Sequence, residues 1–160
     1  MANYDYTLGT AGSGLYKVVE KNAHFVRKHV INFADVLATK GSALAQNDTV
    51  DALAVYAGER VKEVYVRAIT AGTASSTFTV GDQAGATGFI TSVAADAAAG
   101  TVTTAYGTYV QAGSTTYLTT GGKYYSAANT IRLTLGATAP QAGVVEVVAY
   151  IDATGTDSAI

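Results

Sequence analysis

The stretch VGDQAGATGFI, residues 80–90, is the part of the sequence whose residue types best fit a bound ligand. It holds Gly81, Gly85 and Gly88, with Asp82 just after the first glycine. Glycine-rich loops that carry an acid can cradle a phosphate or hold a metal ion. They also form plain turns between strands, so the chemistry has to be tested against each motif.

The sequence contains neither a phosphate-binding motif nor a calcium-binding motif. A phosphate loop needs GxxxxGK[ST] at the start of a helix, but residues 80–90 lack the lysine and lead into a strand-like segment. The Gly-Gly-Lys at 121–123 continues into Tyr124, where a phosphate loop has Ser or Thr. A calcium loop needs several acids at alternating positions, and this stretch has one. A cation near Asp82 stays as the remaining chemical alternative.

The favoured interpretation of residues 80–90 is a hairpin connection. We expect its three glycines to supply positive φ angles and the Asp82 side chain to hydrogen-bond the loop backbone. Phe78 and Phe89, on either side, are predicted to anchor the core.

The remaining titratable residues form no catalytic set. His24 and His29 are five residues apart on a predicted strand, so they face opposite sides and cannot share a metal. His29 shares a face with Phe25 and Ile31, which is typical of a partly buried, hydrogen-bonded histidine. No GxSxG elbow is present, and the acids are scattered. The sequence therefore predicts no enzyme, no catalytic residue, no metal site and no cofactor.

Tyrosines crowd the region 106–125. They are Tyr106, Tyr109, Tyr117, Tyr124 and Tyr125. Tyrosine is enriched in protein interfaces, and aromatic side chains on β loops can stack on sugars. Three alternatives remain open for them: half-buried core residues, a subunit interface, or a sugar-binding surface.

Bulk composition restricts the class of protein. The 160 residues fit one domain, and 49% of them are hydrophobic, which argues against disorder. A net charge of −2 with 14% charged residues argues against nucleic acid as the main partner. There is no cysteine, and no apolar run is long enough to span a membrane or form a signal sequence.

Most of the chain shows the period of two that marks β-strands. Strands are predicted at 23–33, 49–55, 61–70, 75–82, 88–93, 130–135 and 143–153, with strand-like TVTTAYGTYV and TTYLTT between them. In residues 49–55 the alternation places Asp51 with Leu53 and Val55. A short helical turn is expected before Gly41. About eight short strands with glycine-rich turns predict an all-β fold, an antiparallel β-sandwich or barrel.

The ends of the chain differ from this middle part. Residues 1–22 are predicted to be an extended arm, residues 23–153 the β-sandwich domain, and residues 154–160 a polar tail. Apolar residues alternate in the arm, so one of its sides could be buried on a partner. The interface candidates in the arm are Tyr4, Tyr6, Leu8, Leu15 and Tyr16.

Four segments together resemble a known group of proteins: DTVDALAVYAGERVKEVYVRAIT, STFTVGDQAGATGFI, TTGGKYYSAANTIRLTLGA and VVEVVAYID. Over about residues 48–153 they resemble small structural proteins of tailed-bacteriophage virions, of the capsid decoration (cement) kind. The resemblance implies a β-sandwich or jelly-roll domain, often trimeric, that sits on the capsid and clamps adjacent capsomers.

The function predicted from this resemblance is a non-enzymatic virion protein, made in the host cytoplasm and placed on the capsid surface. Its partners would be the major capsid protein and two further copies of itself in a homotrimer, with no nucleic acid and no membrane. The arm would contact the major capsid protein. The alternative is a fibre- or tail-associated module that binds receptor sugars through the tyrosine-rich region 106–125.

Overall fold

The computed structural model describes residues 22–104 and 121–154, which form nine strands and one helix. In chain order these are β1 Asn22–Asn32, α1 Phe33–Lys40, β2 Thr49–Val55, β3 Glu59–Thr70, β4 Thr77–Asp82, β5 Gly85–Ala94, β6 Val102–Thr104, β7 Lys123–Tyr125, β8 Asn129–Leu135 and β9 Val144–Thr154. Within these residues, the helix is too short to cross a membrane. Except for Asn22, which begins β1, and Thr154, which ends β9, the predicted arm and the predicted tail lie outside the described residues.

The strands form two antiparallel sheets packed face to face. The first sheet has the order β1-β9-β3-β6, and β7 also pairs with β3; the second has the order β2-β8-β4-β5. Strand β9 pairs with one side of β3. The other side of β3 pairs with β6 at one part of its length and with β7 at another. The nine strands thus fill eight positions in a jelly-roll order. The predicted all-β sandwich with about eight strands is confirmed.

Alternating apolar residues build the core between the sheets. In β8 the buried positions are Ile131, Leu133 and Leu135, which lie in the second sheet. In β9 they are Val145, Val147, Ala149 and Ile151, which lie in the first sheet. Full burial of such a side chain stabilises the fold by about 1.5–3 kcal/mol. Phe78 and Phe89 are also fully buried, as predicted.

The helix α1 begins and ends at residues with capping geometry. The Asn32 side chain accepts a hydrogen bond from the N–H of Ala34 at 3.1 Å. At the other end Gly41 adopts φ 73° and donates to the carbonyl of Leu37. Phe33, at the start of the helix, packs into the core against Phe78 with ring centroids 5.7 Å apart. The predicted helical turn before Gly41 is therefore an eight-residue helix.

Strand β2 departs from the predicted alternation. The pairing of β2 with β8 shifts between Asp51 and Leu53, so Ala52 is an extra residue and both Ala52 and Leu53 are buried. The prediction that Asp51 shares a face with Leu53 and Val55 is wrong. The bulge leaves the Asp51 side chain 60% exposed, 3.0 Å from the guanidinium of Arg132.

The glycines of residues 80–90 act differently from the prediction. Positive φ angles in the described residues fall at other glycines, not at Gly81, Gly85 or Gly88. Strand β4 runs through Asp82 and β5 begins at Gly85, so only two residues connect the strands. A Cβ atom on Gly81 would lie 1.9 Å from the carbonyl oxygen of Gly85. Gly81 is therefore required for close approach of two backbones, not for a left-handed turn.

We expect Gly81→Ala to destabilise the fold by several times more than Gly100→Ala. Gly100 has φ 88° and open space around its Cα, so its substitution isolates the conformational cost of about 1–2 kcal/mol. In Gly81→Ala the new Cβ would collide with backbone atoms, which cannot move aside as a flexible side chain could. Urea unfolding of the two variants measures the difference. Equal losses of unfolding free energy would contradict the close-approach explanation.

Candidate functional site

Asp82, the acid singled out in the sequence, is a buried carboxylate with 2% of its surface exposed. Its Oδ1 accepts hydrogen bonds from the N–H groups of Ala84, at 2.9 Å, and Gly85, at 3.1 Å, which confirms the predicted contact with the loop backbone. Its Oδ2 accepts from the Tyr125 hydroxyl at 2.7 Å and from the Lys123 ammonium at 2.5 Å.

These contacts join the two sheets. Asp82 ends β4 in the second sheet, whereas Lys123 and Tyr125 are alternate residues of β7 in the first sheet. The cation beside Asp82 is therefore the ammonium group of Lys123. Across residues 22–104 and 121–154, no cluster of three or more His, Asp or Glu side chains is placed to hold a metal. The Asp82 cluster is suited to fastening the sandwich and offers no acceptor to a substrate.

A second buried carboxylate, Glu59 of β3, binds an arginine of the edge strand β1. Arg27 of β1 binds it through two hydrogen bonds of 2.5 and 2.7 Å and also donates to the carbonyl of Ala54 at 2.8 Å. The Arg27 guanidinium lies 4.9 Å from the centroid of the Phe25 ring and 4.6 Å from that of Tyr56. Arg27 thus sits in a pocket of one carboxylate and two aromatic rings.

The histidines face opposite sides of β1, as predicted. His29, which is exposed, donates from Nδ1 to the carbonyl of Ala52 at 2.9 Å. His24 lies on the outer side, with its Nδ1 2.5 Å from the Asp152 carboxylate. Together with Arg27, His29 covers backbone carbonyls on the outer edge of β2. The two histidines lie on different surfaces and cannot act on one substrate.

Among the described residues, a group of exposed apolar side chains lies on the outward side of the first sheet, here called the outer face. Its centre is the ring pair of Tyr65 and Tyr150, with centroids 6.1 Å apart. Val148 lies beside them and is only 2% exposed, although it points away from the core. The apolar members of the outer face are Val26, Val30, Tyr65, Val102, Val148 and Tyr150.

Charged residues surround this apolar centre in pairs. Glu146 lies 2.9 Å from Arg67 and 4.0 Å from Lys28. Asp152, beyond the tyrosines, is contacted by His24 and lies 3.8 Å from Lys62. Each of these pairs has one partner whose side chain is at least 45% exposed, and such pairs contribute little to stability. They do fix the positions of the long side chains that frame the tyrosines.

Glu63 stands apart from these pairs. It lies directly opposite Tyr150 in the sheet and two residues before Tyr65, next to both rings. Within residues 22–104 and 121–154 it makes no ion pair or hydrogen bond through its side chain. Partial burial raises the pKa of the Glu63 carboxyl above its ordinary value. Burial, and then the neighbouring Tyr150, also raise the pKa of Tyr65.

The tyrosines predicted as interface residues divide between the core and the surface. Tyr125 is buried and belongs to the core of this chain, whereas its neighbour Tyr124 is 39% exposed. The other candidates lie outside the described residues: Tyr4, Tyr6, Leu8, Leu15, Tyr16, Tyr106, Tyr109 and Tyr117. The outer face was not predicted as a site. A signal for it exists, because the alternation of β3 puts Glu63, Tyr65 and Arg67 on one side.

A second concave surface lies between β1, α1 and β2. Its floor is apolar, formed by Ile31, Val36, Leu44 and Val50. Charged side chains, among them Asp35 in the first turn of the helix, stand at its rim.

Comparisons with known proteins give a fold relationship. No protein-family profile matches the chain, and no curated protein sequence matches it. A chain in the acidic stable capsid structure of Helicobacter pylori bacteriophage KHP30 is similar, with a TM-score of 0.53 and 12% identity over 83% of this chain and 90% of that chain. A chain in the cyanophage Pam1 capsid asymmetric unit is also similar, with a TM-score of 0.54 and 16% identity over 94% and 97%. At these identities the likeness shows a shared fold.

We expect Tyr125→Phe to lower the free energy of unfolding by about 1.5–3 kcal/mol, the worth of a hydrogen bond to a charged group. Asp82→Ala should cost more, about 3–5 kcal/mol, because it leaves the largely buried Lys123 ammonium without this carboxylate. Urea unfolding measures both values. The matched control is Tyr124→Phe, an exposed neighbour, which should change stability by less than about 0.5 kcal/mol. A Tyr125→Phe variant as stable as this control would refute the role of the Asp82 cluster.

Proposed function

We propose that the chain is a non-enzymatic structural protein of a phage virion, which decorates and stabilises the capsid by clamping adjacent major capsid subunits. The observation that carries the proposal is the match to two phage capsid structures over nearly the whole chain. Because the match also covers 90% and 97% of the neighbouring chains, those capsid components are about as small as this protein.

The chemistry of the described residues supports a structural role. Asp82 and Glu59, the two most buried carboxylates, are both held by cations of the same chain. Strands that are tied together in this way are preorganised, and preorganisation reduces the entropy that is lost when a protein is fixed on a surface. A capsid presents many identical sites, so weak individual contacts add up when one assembly bridges several subunits.

We further propose that residues 1–22 form an arm that contacts the major capsid protein, and that three copies assemble into a trimer. Strand β1 begins at Asn22, so the arm enters the sandwich at an edge strand of the first sheet. Alternating Tyr4, Tyr6 and Leu8 are suited to pairing with the edge of another sheet. The sugar-binding alternative depends on the tyrosine-rich region 106–125, of which Tyr106, Tyr109 and Tyr117 lie outside the described residues.

The proposal is tested by sedimentation with empty shells of the major capsid protein from the same phage. We expect the purified protein to co-sediment with the shells to a fixed ratio of copies per subunit and to raise the temperature at which the shells dissociate. A variant without residues 1–22 should bind at least tenfold more weakly while unfolding at the same urea concentration as the full chain. No sedimentation of the full chain with shells, together with binding to bacterial surface glycans, would favour the sugar-binding alternative.

The trimer is tested by multi-angle light scattering. We expect a mass three times that of the 16.3 kDa chain at the concentrations of the sedimentation assay. The same measurement on protein released from shells under mild conditions covers assembly on the capsid. A single-chain mass in both preparations would contradict the trimer without affecting the capsid role.

A further inference from the structure

We propose that the outer face binds an arginine or lysine side chain of a neighbouring virion subunit, held between the Glu63 carboxylate and the rings of Tyr65 and Tyr150. This inference rests on the proposed capsid role and names the chemistry of one contact.

The first support is the position of Glu63. It is half-buried beside two aromatic rings and has no ion-pair partner within residues 22–104 and 121–154. Removing a carboxylate from water without a donor is costly, and burial already raises its pKa. A cation that approaches from outside would restore the lost interaction.

The second support is that the chain already binds an arginine with the same set of groups. Arg27 lies between the Glu59 carboxylate and the rings of Phe25 and Tyr56, with its guanidinium under 5 Å from both ring centroids. Glu63, Tyr65 and Tyr150 repeat this combination of one carboxylate and two rings. In the first set the chain supplies the cation, whereas in the second set the described residues supply none.

Two of the cations on this side of the sheet are already paired with other acids. Arg67 lies 2.9 Å from Glu146, and Lys62 lies 3.8 Å from Asp152. Glu63 is the acid of the outer face that these ion pairs do not include. The faces of the tyrosine rings carry negative potential and attract a cation as well. Electrostatic complementarity therefore favours a basic side chain over a neutral or acidic one at this position.

The inference is tested by NMR titration of the full chain with N-acetyl-argininamide, and in parallel with its uncharged counterpart N-acetyl-citrullinamide. We expect saturable shifts of the ring resonances of Tyr65 and Tyr150 with the arginine compound, and at least tenfold weaker binding of the citrulline compound. Glu63→Gln and Tyr150→Ala should each weaken arginine binding at least fivefold. The matched controls Asp35→Asn and Tyr124→Ala remove an exposed carboxylate of α1 and an exposed tyrosine of β7, neither of which lies beside Glu63, and should leave arginine binding unchanged.

Equal responses to the two compounds, or an unchanged response in Glu63→Gln, would overturn the inference. So would a response of the same rings to methyl glucoside with none to the arginine compound, which would indicate a sugar site. Shell sedimentation separates this result from the proposed function. Shell binding that persists in Glu63→Gln at full strength overturns the cation contact alone, whereas arginine binding without any shell binding overturns the capsid role.

Discussion

The burial of the Asp82 carboxylate is the constraint on which one end of the sandwich depends. A carboxylate at this depth must be matched by donors, and they come from two separate parts of the chain. The two-residue turn after Asp82 supplies backbone N–H groups, and β7 of the opposite sheet supplies an ammonium and a hydroxyl. The close approach at Gly81 and strand β7 both lie next to this one group.

The same end of the molecule links the carboxylates of Asp82 and Glu59 through neighbouring strands. Tyr125, which donates to Asp82, lies directly opposite Glu59 in the pairing of β3 with β7. Glu59 holds Arg27, which in turn donates to the carbonyl of Ala54 in β2. Polar contacts therefore run from β4 of the second sheet, through three strands of the first, to β2 of the second. Apolar burial supplies most of the stability, while these contacts specify which strands meet.

The sequence predicts the local pattern well and the long-range partners poorly. The period of two in β3, β8 and β9 depends on neighbouring residues alone, so the buried face of each could be derived from the chain. The partners of Asp82 lie 41 and 43 residues away, and Glu59 lies 32 residues from Arg27. No periodicity carries that information. The predictions for the face of Asp51 and for the role of Gly81 were wrong for the same reason. The bulge at Ala52 and the close approach at Gly81 are each set by the adjacent strand.

The outer face shows how an outward surface can remain apolar in a small protein. Val148 points away from the core but is only 2% exposed, and it lies directly opposite Tyr65 and two residues before Tyr150. These three residues form a second, thin apolar layer outside the core. At one end of that layer Lys28 and Arg67 share the Glu146 carboxylate, which leaves one net positive charge whose reach is short at physiological salt. Shape and a single directed charge would then determine the fit. A contact of millimolar strength contributes only about 4 kcal/mol, so it becomes effective where identical contacts act together, as they do on a lattice of repeated subunits.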